Sequence, residues 1–78
     1  MDIKQLREII HERKPTLKEL QFIILLTSED RYFNKYEIIK ELWNGYIADQ
    51  TFHNFLQRLK HKGIKYSFQK GKGYKTNY

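Results

Sequence analysis

The sequence predicts a mainly helical α+β domain: three core helices carrying an extra N-terminal helix and followed by a C-terminal β-hairpin. Three observations predict it. Apolar residues recur at three- and four-residue spacing in four stretches before Gly63, and three of these open on a residue able to cap a helix. Beyond Gly63 the period falls to two, the pattern of a strand with one covered face. Within that stretch Lys70-Gly71-Lys72-Gly73 supplies glycines for the positive φ angles of a tight hairpin.

Ile3, Leu6, Ile9 and Ile10 lie at helical spacing among charged residues, so residues 1–14 are expected to form an amphipathic helix. Pro15 ends it, because a residue before proline is pushed out of the α region. Residues 15–78 then form the main unit of one compact domain. Thr16 and Glu19 have capping-box spacing. The apolar run Phe22 to Leu26 would suit a buried strand, but the cap and the Leu17/Leu20/Ile24 spacing favour a helix buried on most of its faces. Glu29 to Asn34 is turn-like, with Tyr32 and Phe33 able to make one short strand. Asn34 and Glu37 repeat the capping signature; Tyr36, Ile39, Leu42 and Trp43 form the next stripe, and Gly45 suits a left-handed C-terminal position. Asp49 is expected to cap a helix running to Lys62, with apolar face Phe52, Phe55, Leu56 and Leu59, closed by Gly63. Ile64, Tyr66 and Phe68 alternate with Lys65, Ser67 and Gln69 in a half-buried strand. A second strand alternates Tyr74, Thr76 and Tyr78 with Lys75 and Asn77.

With 78 residues the chain makes one domain, able to bury roughly 60 to 65% of its unfolded surface. Five Phe, six Tyr and one Trp suit a small core. The absence of cysteine removes disulfides and thiolate metal sites and fits a reducing cytoplasm. No apolar run approaches the roughly 20 residues that span a bilayer, and no signal-peptide arrangement opens the chain, so a soluble cytoplasmic protein is expected.

Charge is strongly segregated. Residues 1–39 hold seven Lys/Arg and seven Asp/Glu, so the net +6 lies in residues 40–78. From Gln50 onward there is no acidic residue, against seven bases: Arg58, Lys60, Lys62, Lys65, Lys70, Lys72 and Lys75. Such a surface suits a polyanion, since displacing counterions from nucleic-acid phosphates favours binding; a solvated basic tail is the bland alternative. At 3.6 residues per turn Gln50, Asn54, Gln57 and His61 form one row opposite the Phe52/Phe55/Leu56/Leu59 face, flanked by His53, Arg58 and Lys60. Amides pair bidentately with adenine edges and Arg or Lys reaches guanine or phosphate, so the face has the chemistry of base readout. Lys70 and Lys72 at the glycine-rich tip are suited to a phosphate or a minor groove.

Three helices followed by a basic hairpin is the winged helix-turn-helix arrangement. From Pro15 to Tyr74 the chain resembles the DNA-binding domain of OmpR/PhoB-type response regulators. The resemblance rests on the Leu17-to-Leu26 helix after a Thr/Glu cap, the Tyr36-to-Trp43 helix ending in Leu-Trp, the helix ending Leu59-Lys60-His61-Lys62, and Lys70-Gly71-Lys72-Gly73-Tyr74, similar to an Arg-Gly-x-Gly-Tyr wing signature. It implies a third helix in the major groove of double-stranded DNA and a wing, residues 69–74, on the minor groove or backbone, often with protomers in tandem or as a dimer. By position it makes Gln50, Thr51, His53, Asn54, Gln57, Arg58, Lys60 and His61 groove contacts and Lys70 and Lys72 wing contacts, with Trp43 mainly core. Two departures are a missing receiver domain and, in place of the family's four-stranded N-terminal sheet, the Ile3-to-Arg13 helix.

No catalytic constellation, metal site or cofactor is expected. Serines are limited to Ser28 and Ser67, the carboxylates sit mostly on predicted polar faces, and His53 and His61 are eight residues apart where a helical zinc pair is usually four. The leading expectation is a small transcriptional regulator of phage, plasmid or mobile-element type. The alternative is a protein-interaction module for RNA polymerase or another regulator, for which Tyr66, Tyr74 and Tyr78 near the wing would serve. RNA binding is the third, disfavoured because the aromatics read as core and not as stacking platforms.

Overall fold

The structure, a computed structural model, describes residues 2–76 and 78. Four helices are followed by one antiparallel hairpin: α1 (Ile3–Arg13), α2 (Leu17–Ser28), α3 (Lys35–Trp43), α4 (Asp49–His61), β1 (Tyr66–Gln69) and β2 (Gly73–Thr76). The architecture is therefore α+β and mainly helical. No helix among the described residues is long and apolar enough to cross a membrane.

Helix starts follow local side-chain chemistry. Asp2 accepts from the Gln5 amide at 2.8 Å and opens α1. The Thr16–Glu19 capping box is complete, each side chain accepting from the other's backbone N–H, at 3.3 and 2.7 Å. Asn34 accepts from the Glu37 amide at 2.9 Å to start α3. The fourth start departs from expectation. Ala48, not Asp49, occupies the N-cap and makes no side-chain bond; Asp49 lies inside the first turn, where the helix dipole favours a carboxylate, and pairs with Lys35 Nζ at 2.7 Å.

The core is made by Ile9 of α1, Phe22, Ile23 and Leu26 of α2, Ile38, Ile39 and Leu42 of α3, Phe52, Phe55 and Leu59 of α4, with Phe33 and Ile64 from the connections. Three corrections concern which face turns inward. On α2 the inward stripe is Glu19, Phe22, Ile23 and Leu26; Leu17 (72% exposed) and Ile24, seven residues apart, share the outward one, which no further layer covers. Glu19, expected only as the capping-box partner of Thr16, is thus buried. On α3 Ile38 joins Ile39 and Leu42, which leaves Tyr36 on the solvent side. On α1 only Ile9 is buried, while Ile3 and Ile10 remain exposed.

The glycines at the chain reversals take positive φ, and two residues for which none was expected, Lys14 and Asn44, take it as well. Lys14 (φ 49) ends α1 before Pro15; Asn44 (φ 58) takes the left-handed position after α3, and Gly45 (φ 91) follows it. Gly63 (φ 74) closes α4 one residue earlier than expected, at His61.

The hairpin pairs Tyr66 with Thr76, Ser67 with Lys75, Phe68 with Tyr74 and Gln69 with Gly73. One face is joined to the core by aromatic contacts: Phe22 with Tyr66 at 5.9 Å and Phe52 with Tyr74 at 5.9 Å between centroids. Phe22 and Trp43 in turn meet Phe55 edge-on at 5.6 and 5.1 Å, so rings lock α2, α3, α4 and the hairpin together. Phe68 shares that face yet is 60% exposed, because it extends past the covered region; the expected half-buried strand is covered only at its Tyr66 end. Of the short strand expected at Tyr32 and Phe33, a single bridge forms: Phe33 and Tyr74 exchange two backbone hydrogen bonds, both 2.8 Å. Tyr78, expected in the second strand, lies beyond it and accepts from the Lys65 amide at 3.2 Å; Asn77, expected on that strand's polar side, lies outside the described residues.

Candidate nucleic-acid interface

The apolar stripe of α4 determines its outer face. With Phe52, Phe55 and Leu59 buried, the opposite half-cylinder turns to solvent, and Gln50, Thr51, His53, Asn54, Gln57, Arg58, Lys60 and His61 are all exposed on it. Lys70 and Lys72 are also exposed, at the hairpin tip. The ten residues predicted for the site are therefore surface residues on two neighbouring elements, held together by the Phe52–Tyr74 contact.

Asp49 is the sole acid in α4, and its carboxylate is neutralised by Lys35 of α3. That hydrogen bond holds the Asp49 carboxyl below its ordinary pKa and raises the Lys35 ammonium above its own. The ion pair also ties the start of α4 to the start of α3, and Lys35 lies 5.5 Å over the Phe52 ring. Beyond it the outer face carries only amides, imidazoles, hydroxyl and cations. Gln50 Nε2 donates to Asn54 Oδ1 at 3.0 Å, so two of the amides are aligned by each other before any ligand arrives.

The basic residues divide into two groups. Lys62 turns inward, donating to Glu19 Oε1 at 2.5 Å and to the Lys14 carbonyl at 3.1 Å. Lys75 pairs with Asp30 at 3.0 Å, a hydrogen bond that raises its pKa. Arg58, Lys60, Lys65, Lys70 and Lys72 make no ion pair among the described residues, although the Lys72 ammonium lies 5.6 Å over the Tyr32 ring. Charge segregation in the chain thus becomes a cationic surface mainly along α4 and the hairpin tip.

The tip is shaped by Lys72 N–H donating to the Gln69 carbonyl at 3.0 Å and by Gly71 at φ 84. Gly73 has a stricter duty than turn formation: at φ 109 it lies against the 33–34 backbone, and a Cβ there would sit 2.2 Å from the Phe33 carbonyl oxygen.

Sequence reasoning missed the Lys35–Asp49 and Lys62–Glu19 pairs and the exposure of Phe68. Lys62 offered one signal, its position at the edge of the apolar stripe of α4; Lys35 and Phe68 offered none, since their partners and surroundings come from distant segments. Trp43 is half-buried against Phe52 and Phe55 with Lys18 5.7 Å over its ring, while Lys18 donates to the Leu42 carbonyl. No protein-family model, curated protein or solved structure matches the chain.

Proposed function

We propose that this chain is a winged helix-turn-helix module resembling the effector domain of OmpR/PhoB-type regulators, and that it binds double-stranded DNA sequence-specifically as a small transcriptional regulator. In this reading α4 enters the major groove and residues 69–74 are the wing, on the minor groove or backbone. The observation that carries it is the outer half of α4, amide-rich and without an unpaired acid, beside a hairpin tip bearing Lys70 and Lys72. The order of elements adds support, with the Phe33–Tyr74 bridge standing as a rudimentary third strand beside the hairpin.

Affinity for random and selected duplexes, measured across salt concentration, tests this. Binding is expected to weaken with log[salt] at a slope of about −0.9 per phosphate neutralised. Absence of binding at low salt, or indifference to salt, would sink the reading. Asn54→Ala is expected to lower affinity for the selected sequence by about 1–3 kcal/mol while leaving random duplex nearly unchanged; Lys72→Ala should weaken both alike and flatten the salt slope. Equal effects of Asn54→Ala on all sequences would refute base readout by that amide.

A protein-binding reading is favoured by Tyr46, 92% exposed, and by exposed Tyr36, both outside the aromatic core. These two and Phe68 are exposed, in contrast to the expectation that the aromatics read as core and not as stacking platforms. Tyr66 and Tyr74, in contrast, are half-buried and contact core rings. A stoichiometric protein retained from nuclease-treated extract would favour this second reading.

A further inference from the structure

A groove of about 340 Å³ separates α4 from the hairpin, lined by Leu56, Lys60, Tyr66, Phe68 and Tyr74. Its floor is aromatic: the Phe68 and Tyr74 rings lie 4.8 Å apart, and Tyr74 is backed by Tyr66 at 6.1 Å. Leu56 and Lys60, four residues apart, form the flank of α4 that turns to the hairpin, next to His53 and Gln57; Thr51 and Arg58 fall on the opposite flank. A nucleic-acid strand passing from α4 to the hairpin tip would cross this groove. The chemistry of the groove differs from that of the two elements beside it: aromatic below, with one cation on its rim and no Asp or Glu in residues 50–78.

We propose that this groove seats one deoxyribose of the DNA strand running between the two grooves, with Phe68 packed on the sugar and Lys60 on its phosphate. The proposal rests on the duplex-binding reading above. Deoxyribose is the least polar part of the DNA backbone, and it carries a phosphate one bond away. An aromatic floor with a single rim cation complements that pair, whereas a purely phosphate-binding surface would need no exposed Phe. Phe68, 60% exposed, is otherwise an apolar ring left in water by a domain that buries its other phenylalanines. Because the sugar contact is uncharged, it strengthens binding without releasing counterions.

Phe68→Ala, Phe68→Leu and Lys60→Ala, each checked for an unchanged circular dichroism spectrum, are compared with the wild type on duplex DNA across salt. Phe68→Ala is expected to lose roughly tenfold in affinity at every salt concentration, giving a parallel line, and Phe68→Leu to recover most of it. Lys60→Ala should reduce the slope by about 0.9. Hydroxyl-radical footprinting should show one protected sugar that becomes cleavable in Phe68→Ala. If the wild type binds duplex and Phe68→Ala binds equally well, or changes only the slope, the groove assignment fails while duplex binding stands, and the groove is left to a protein ligand. If the wild type binds no duplex at low salt, both fall.

Discussion

Gly73→Ala is expected to remove a large share of the domain's stability. The position combines φ 109 with a Cβ that would meet the Phe33 carbonyl oxygen at 2.2 Å, its carbon at 2.7 Å and the Asn34 Cα at 2.9 Å. All three are backbone atoms, so no rotamer change relieves the clash. A side chain at such φ costs about 1–3 kcal/mol. Separating the 33–34 segment from β2 also breaks the paired Phe33–Tyr74 hydrogen bonds, at about 0.5–1.5 kcal/mol each. A loss on the order of 3–5 kcal/mol compares with a total stability of roughly 4–12 kcal/mol for a domain of this size. Gly71→Ala provides the control: φ is 84 but nothing lies within 4 Å of the added carbon, so the cost should be about 1–2 kcal/mol. Urea unfolding of the two variants measures the difference. Similar midpoints would mean that hairpin conformation, and not contact with the 33–34 backbone, sets the requirement for glycine.

Lys62→Ala is expected to destabilise the domain by about 3–5 kcal/mol, because it strands a carboxylate in the interior. Glu19 is 1% exposed; its Oε1 accepts from Lys62 Nζ at 2.5 Å and from the Thr16 amide at 2.7 Å. Lys62 binds the Lys14 carbonyl as well, so one ammonium holds the α1–α2 junction against the end of α4. The double variant Glu19→Leu/Lys62→Met should lose much less than Lys62→Ala, since it removes the charge together with its partner. Burial raises the pKa of the Glu19 carboxyl, but the Lys62 hydrogen bond, the Thr16 amide and the Lys62 charge together bring it below its ordinary 4.5. The folded state therefore holds this proton less tightly than the unfolded state. The pair's contribution is complete above pH 4.5 and is lost as pH falls through the lower folded value. Urea titrations between neutral and acidic pH should show that dependence in the wild type and a weaker one in Glu19→Leu/Lys62→Met. An equal pH dependence in both would remove Glu19 from the account.

Much of the fold was legible because its causes are local. Thr16 with Glu19 and Asn34 with Glu37 are satisfied within one helical turn, Pro15 acts on its immediate predecessor, and the change of period after Gly63 is a property of consecutive residues. The candidate face was legible for the same reason: once Phe52, Phe55 and Leu59 turn inward, helical geometry alone turns Gln50, Asn54, Gln57 and His61 outward. Less legible were the choices among competing apolar residues. Leu17 and Ile24 are as hydrophobic as the residues α2 buries, and Tyr36 suited the α3 stripe as well as Ile38. Periodicity names the candidates; the finite number of neighbouring layers decides which are covered.

What the sequence by itself determined is the succession of four helices and a hairpin, the segregation of charge into residues 40–78, and the acid-free outer face of α4. Each depends on spacing along one segment. Only the tertiary structure decided that Lys62 turns inward to Glu19, that Lys35 neutralises Asp49, that Gly73 must lie bare against the Phe33 carbonyl, and that Phe68 floors an open groove. The two ion pairs join residues 14 and 43 apart, Gly73 meets the 33–34 backbone, and the groove needs α4 and the hairpin packed side by side. Such contacts exist only after the core has closed, and no local pattern in the chain encodes them.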